Sequence, residues 1–213
     1  MTSRPRILIA DDHLLLAEAF RTLLEPEFEV VGVVTDGRAV VAAAEELHPN
    51  LVILDISMPQ LNGLDAADLI KKRVRGVKIV YVTMNSQPEI AAEAFRRGAS
   101  GYVLKHCTAQ ELVVAVRRVL RGESYLPPQI TKDTVEYLLR TRHEYKPDKQ
   151  ISTRQREVLQ LIAEGKSMKE VAYILDVKAG TVAFHKYKIM ETLGLKSTAE
   201  LIQYAVQQHM LAT

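Results

Sequence analysis

The chain has 213 residues, with 28 Lys and Arg against 26 Asp and Glu, a formal net charge of +2 and 47% hydrophobic residues. That length holds one large or two small domains, and the composition supports packed cores rather than wholesale disorder. Cys107 is the single cysteine, which excludes an intramolecular disulfide and a cysteine-based zinc site. No apolar run approaches the ~20 residues of a membrane span, and the opening MTSRPRILIADDH lacks the form of a signal peptide, so no membrane partner and a cytoplasmic location are expected.

The first 125 residues alternate short β-branched runs with longer helical patterns. Strands are predicted at Arg6–Ala10, Glu29–Val34, Leu51–Leu54, Lys78–Val82 and Gly101–Leu104, and helices near 14–25, 38–47, 64–74, 88–97 and 109–121. Runs such as RILIA, LVIL and KIVYV are apolar on both faces, as in a parallel sheet covered on both sides. Five βα repeats imply a doubly wound α/β fold with a five-stranded parallel sheet, whose ligands gather at the carboxyl ends of the strands. Residues 126–150 then read as a linker carrying one helix, Thr131 to Arg142, flanked by Leu-Pro-Pro and the polar run EYKPDKQ.

Residues 151–213 read as a small all-α domain of four helices, near 153–164, 168–175, 180–192 and 198–209. Ser152 with Gln155, Ser167 with Glu170 and Ser197 with Glu200 have capping-box spacing, and Gly165 stands where a helix end needs positive φ. The short joint Asp176–Ala179 suits a helix-turn-helix. Charge shifts mildly along the chain: 15 basic against 16 acidic residues over 1–125, 5 against 4 over 126–150, and 8 against 6 over 151–213.

Asp11 and Asp12 follow the first strand and Asp55 the third, so three carboxylates should meet on one rim. Their mutual repulsion is relieved by a divalent cation, and oxygen-only ligation fits Mg²⁺. Thr83 and Lys105 close the fourth and fifth strands on the same rim. A hydroxyl and an ammonium beside a carboxylate–metal cluster suit a phosphoryl group on an aspartate nucleophile. His13 is read as a start-of-helix residue and not as a ligand. On the tail, Val158, Leu161, Ile162, Val171, Ala172, Leu175, Val182, Ile189, Leu193 and Leu195 supply the core. Thr181, Ala183, Phe184, Lys186, Tyr187 and Lys188 are left exposed on the third helix, where aromatics among lysines suit a major-groove reader.

The segments ILIADDH, LVILDISMPQLNG, IVYVTM and GASGYVLK resemble the receiver domain of bacterial response regulators across residues 1–125. The stretch from Ile151 resembles the DNA-binding domain of NarL/LuxR-type regulators across 151–213. The resemblance implies that Asp55 is the phosphoacceptor for a sensor histidine kinase. It further implies that Asp12, Asp55 and the Ser57 backbone carbonyl hold Mg²⁺ with help from Asp11, and that Thr83 and Tyr102 form a switch pair in which the tyrosine ring turns inward. The chain is then no metabolic enzyme but a transcription regulator that binds promoter DNA as a homodimer when phosphorylated, with 198–209 supporting the dimer. The same resemblance raises masking of the recognition helix by the unphosphorylated receiver.

Three departures from that pattern stand out. His106 follows Lys105 where receivers often carry proline, which leaves the isomer of this bond open. Lys178 replaces a serine cap and Gly180 follows, so the recognition helix is expected to start late or to firm up only on DNA. Ala183 and Tyr187 stand where basic residues are frequent. Two rivals are a Mg²⁺-dependent phosphohydrolase, which usually needs an acid where Ser57 stands, and a regulator whose first domain binds a small ligand.

Overall fold

The computed structural model describes residues 4–142, 151–208 and 210–211. Five strands, β1 (Arg6–Ala10), β2 (Glu29–Val34), β3 (Leu51–Leu54), β4 (Lys78–Thr83) and β5 (Gly101–Leu104), form an all-parallel sheet in the order β2-β1-β3-β4-β5. Successive residues of each inner strand point to opposite faces. Leu8, Val52, Ile79 and Tyr102 join one core, with helices α2 (Gly37–Leu47), α3 (Gly63–Arg73) and α4 (Pro88–Arg96). Ile7, Ile53, Val80 and Val103 join the other, under α1 (Leu14–Leu24) and α5 (Ala109–Leu120). Burial on both sides explains the unbroken apolar strand sequences.

The chain order reverses between β1 and β3, where a doubly wound sheet opens a crevice. Backbone pairing runs one residue beyond the strands: Asp55 N–H donates to Ala10 C=O at 2.9 Å and Lys105 N–H to Thr83 C=O at 2.9 Å. The residues that follow each strand are thereby held in register with one another. Gly63 opens α3 where a Cβ would stand 2.0 Å from the Asp55 carbonyl oxygen, so only glycine lets the helix return this close to the end of β3.

Helix α6 spans Pro128–Arg140, three residues earlier than expected at its start. Pro128 occupies the first turn, where its missing N–H costs nothing, so the prolines begin the helix and do not merely precede it. The helix lies on α4. Ile130 is buried in the sheet's core, and the Tyr137 ring sits beneath the guanidinium groups of Arg96 and Arg140 at 5.7 and 5.5 Å.

The remaining helices, α7 (Thr153–Ala163), α8 (Met168–Ile174), α9 (Ala179–Leu193) and α10 (Thr198–Gln207), enclose a separate core. Val158, Leu161, Ile162, Val171, Ala172, Leu175, Val182 and Ile189 are buried there as expected; Leu193 and Leu195 only pack against it from the edge. Ile151, Leu159, Leu201, Ala205 and Met210 complete it. Ser152 and Ser167 form full capping boxes with Gln155 and Glu170. The third box is offset by one residue: Ser197 caps the Glu200 N–H, but the Glu200 carboxylate accepts from the N–H of Lys196. Helix α9 does not start late. It begins at Ala179 with no side-chain cap from Lys178. The expected end of the last helix at residue 209 falls partly outside the described residues.

Candidate functional site

Asp11, Asp12 and Asp55 do converge. One carboxylate oxygen from each, with a ring nitrogen of His13, lie within 4.8 Å of one another. Asp11 and Asp55 are buried and Asp12 is partly open. The Lys105 ammonium reaches between them, donating to Asp55 Oδ2 at 2.8 Å and to Asp11 Oδ1 at 3.0 Å. His13 is the N-cap residue of α1, as read from sequence, but it also brings Nδ1 to 2.9 Å from Asp12 Oδ1. Nothing in the spacing of the sequence announced that contact, because the turn between β1 and α1 folds the ring back onto its neighbours.

Two buried oxygens in the cluster, Asp11 Oδ2 and Asp12 Oδ1, accept no hydrogen bond. Their 2.9 Å approaches to Lys105 Nζ and His13 Nδ1 lack hydrogen-bond alignment. Unsatisfied carboxylate oxygens at a partly open rim are hard donors with spare capacity, and the acidic cluster can accept a metal cation. Burial raises the Asp55 carboxyl above its ordinary range, against the pull of Lys105, so the rim presents a desolvated carboxyl. Burial by itself would lower the Lys105 ammonium, yet the hydrogen bonds and charges of Asp55 and Asp11 outweigh it and raise it. Lys105 therefore stays charged.

The other predicted receiver residues fall around the same crevice. Ser57 donates its N–H to Asp55 Oδ1 at 3.3 Å. Thr83 is buried, and its Oγ1 accepts from the N–H of Asn85 at 3.2 Å, leaving the hydroxyl proton free to donate. Tyr102 already lies inward and buried, with its hydroxyl donating to the Asn85 carbonyl at 2.7 Å. The expected inward swing thus has no outward starting point in this structure, because Asn85 C=O supplies the buried phenol with a partner. No cis peptide bond occurs among the described residues, so Lys105–His106 is trans.

A receiver-like sheet with this rim is joined to a capped four-helix tail, and comparison with known families decides the matter. Residues 7–117 match the response regulator receiver domain, and residues 149–205 match the bacterial regulatory proteins of the luxR family. The chain is a LuxR-family response regulator. It is 36% identical to the oxygen regulatory protein NreC of Staphylococcus carnosus (strain TM300), over 97% of this chain and 99% of that one. NreC of Staphylococcus haemolyticus is equally similar. Among solved structures, a LuxR-family two-component response regulator from Aurantimonas sp. SI85-9A1 covers 65% of this chain at 31% identity and a TM-score of 0.60. The RcsB response regulator of Salmonella typhimurium covers 97% at 26% identity and a TM-score of 0.61, and RcsB has also been solved as two dimers bound to two parallel DNAs.

In this regulator the receiver and the LuxR-type helices are in contact, and the contact was not legible in the sequence. Helix α7 buries three polar side chains, Arg156, Glu157 and Gln160. Gln160 donates Nε2–H to the Met58 carbonyl at 2.9 Å and accepts from the Asn62 N–H at 2.7 Å, pairing with both sides of the loop that follows Asp55. Glu164 accepts from the Gln60 N–H at 2.9 Å. Arg156 donates to Asp65 on α3 at 2.8 Å, and Arg97, the C-cap of α4, reaches the same carboxylate at 2.9 Å. Burial alone would raise Asp65, but the two guanidinium groups hold it below the usual carboxylate range.

Helix α9 stands clear of this contact. Phe184 and Tyr187 are each 65% exposed, and Lys188 is exposed with its ammonium on Glu191 at 2.8 Å. Thr181, Ala183 and Lys186 are half-buried, less open than the mostly exposed face expected; Lys186 donates to Thr198 Oγ1 at 2.8 Å, which draws it toward α10. Helix α9 thus keeps Phe184, Tyr187 and Lys188 exposed, while α7 carries the hydrogen bonds to the receiver.

Proposed function

We propose that Asp55 is the phosphoacceptor of this regulator, that residues 1–125 and 151–213 are its receiver and DNA-binding domains, joined by 126–150, and that α9 reads promoter DNA. One observation carries the first part: the Lys105 ammonium bridges Asp55 and Asp11 beside a carboxylate cluster with unsatisfied oxygens. Asp11, Asp12, Asp55 and the Ser57 backbone carbonyl are the residues to hold Mg²⁺, which when bound neutralises phosphoryl oxygens. Asp55 attacks phosphorus through a carboxylate oxygen. Lys105 then shares its protons with the transferred group, and Thr83 donates its hydroxyl. Asn85 couples the switch pair, since its N–H holds Thr83 and its carbonyl holds Tyr102.

The donor is a sensor histidine kinase in the cytoplasm, and the phosphorylated chain pairs as a homodimer on half-sites, with α10 supporting the pair. Lys186 and Lys188 serve the phosphate backbone. Thr181, Ala183, Phe184 and Tyr187 face base edges, where Phe184 and Ala183 can meet thymine methyls. Such a face is poor in cations and gives weak, strongly salt-dependent binding as a monomer. Incubation with acetyl phosphate and Mg²⁺ tests the acceptor. A stable adduct lost in Asp55→Asn is expected; an adduct that survives Asp55→Asn refutes the assignment, and rapid turnover of many phosphate esters would favour a phosphohydrolase.

A further inference from the structure

A cavity of about 430 Å³ lies over Asp55, and its wall comes from both ends of the chain. The floor is polar and belongs to the receiver: Asp55, Ser57, Thr83 and Lys105. Part of the lip is apolar and belongs to the DNA-binding half: Val206 on the last turn of α10, and Leu211 after it. These two side chains have no place in the tail's own core, which Ala205 and Met210 join from the same segment. They are held over the receiver because α10 packs on α7, and α7 is pinned to the loop after Asp55 by Gln160, Glu164 and Arg156.

Size then separates two sources of the same phosphoryl group. A small acyl phosphate fits a space of this volume with water to spare. A phosphohistidine carried on a protein arrives with its helix. At a diameter of ~10 Å and a pitch of 5.4 Å, one helical turn already occupies roughly 400 Å³. A bundle that must lay several turns across the rim meets Val206 and Leu211 first. We infer that Val206 and Leu211 select the phosphodonor: the closed chain accepts phosphoryl groups from small free acyl phosphates, and a helix-borne phosphohistidine reaches Asp55 only when α7 and α10 lift away.

The inference rests on Asp55 being the acceptor. With a small donor, the bond between phosphorus and the acyl oxygen breaks as an Asp55 carboxylate oxygen bonds to phosphorus. The acyl group leaves as a carboxylate with the electron pair, so no proton and no further reactant is needed.

The test compares two donors on the full chain with Mg²⁺: acetyl phosphate, and an isolated four-helix histidine phosphotransfer domain loaded on its histidine with phosphoramidate. Val206→Ala/Leu211→Ala trims the lip, and Gln160→Ala frees α7 from the loop; none of these side chains hydrogen-bonds to Asp55, Thr83 or Lys105, and the alanine lip still leaves room for a small acyl phosphate. Transfer from the protein donor is expected to rise about tenfold in the double variant and about thirtyfold in Gln160→Ala, with acetyl phosphate rates within twofold of the wild type. Protein-donor rates that stay unchanged in both variants, or that rise in step with acetyl phosphate rates, overturn the selection. If acetyl phosphate gives no adduct on the wild type, or labels Asp55→Asn equally, the acceptor assignment fails and the inference fails with it.

Discussion

Replacing Gln160 with alanine deletes one amide side chain that serves two backbone groups. With α7 still docked, the Met58 carbonyl and the Asn62 N–H would both be buried without partners, since Gln160 itself is fully buried in the contact. Each such group costs about 1–3 kcal/mol. The docked arrangement should therefore lose at least about 2 kcal/mol relative to the parted one, in which water satisfies both, and that is about a thirtyfold change in their ratio. The Asn62 amide is the direct reporter, because its proton lies in the deleted hydrogen bond. Its exchange with solvent, followed by NMR on the full chain, should accelerate about thirtyfold, and small-angle scattering should show a larger radius of gyration. An Asn62 amide as protected as in the wild type, with an unchanged scattering profile, would refute the reasoning and leave α7 as an incidental neighbour.

Other outcomes follow from particular contacts. Gly63→Ala drives a Cβ into the Asp55 carbonyl and should destabilise the receiver by about 3 kcal/mol in urea unfolding. Asp65 is held below the usual carboxylate range, and Arg156 supplies the part of that lowering that parting removes, so the stability it lends the docked form is complete above the parted-form pKa and is lost as pH falls through the docked value. Acid titration of the scattering profile should show docking weaken in that window, and Asp65→Asn should abolish the step. On DNA, Phe184→Ala should change base preference in a selection of bound sequences. Lys188→Ala should weaken all sequences alike and reduce the salt slope by about one; if neither change alters binding, α9 is not the reader.

Much of the fold was legible because parallel strands buried on both faces leave a plain record. The five apolar runs appear where expected, differing only by Thr83, which pairs with Leu104 and extends β4 by one residue. The rim was legible for the same reason: residues that follow parallel strands are neighbours whatever the side chains between them. What stayed hidden depends on contacts distant in sequence. Arg156, Glu157 and Gln160 look like the solvated face of an amphipathic helix, and only the receiver's loop turns that face into an interior. Lys186 read as exposed because Thr198, its partner, lies on another helix. Tyr102 read as mobile because its acceptor is a backbone carbonyl, which no sequence pattern displays.

Helix α6, anchored on α4 by Tyr137 between Arg96 and Arg140, fixes where the tether to the tail begins. Only residues 143–150 separate Arg142 from Ile151, a reach of at most about 30 Å. Eight residues by any path cannot take the tail beyond that reach, which sets its local concentration beside the receiver at about millimolar order. An interface then needs only about 4 kcal/mol of intrinsic affinity to be half closed. The hydrogen bonds of Gln160 and the buried pairing of Asp65 are comparable with that whole margin, as is one new charged group on the acidic rim. On these magnitudes docking should respond to the length of chain between Arg142 and Ile151 as directly as to any residue in the contact, which insertion of residues there would test by scattering.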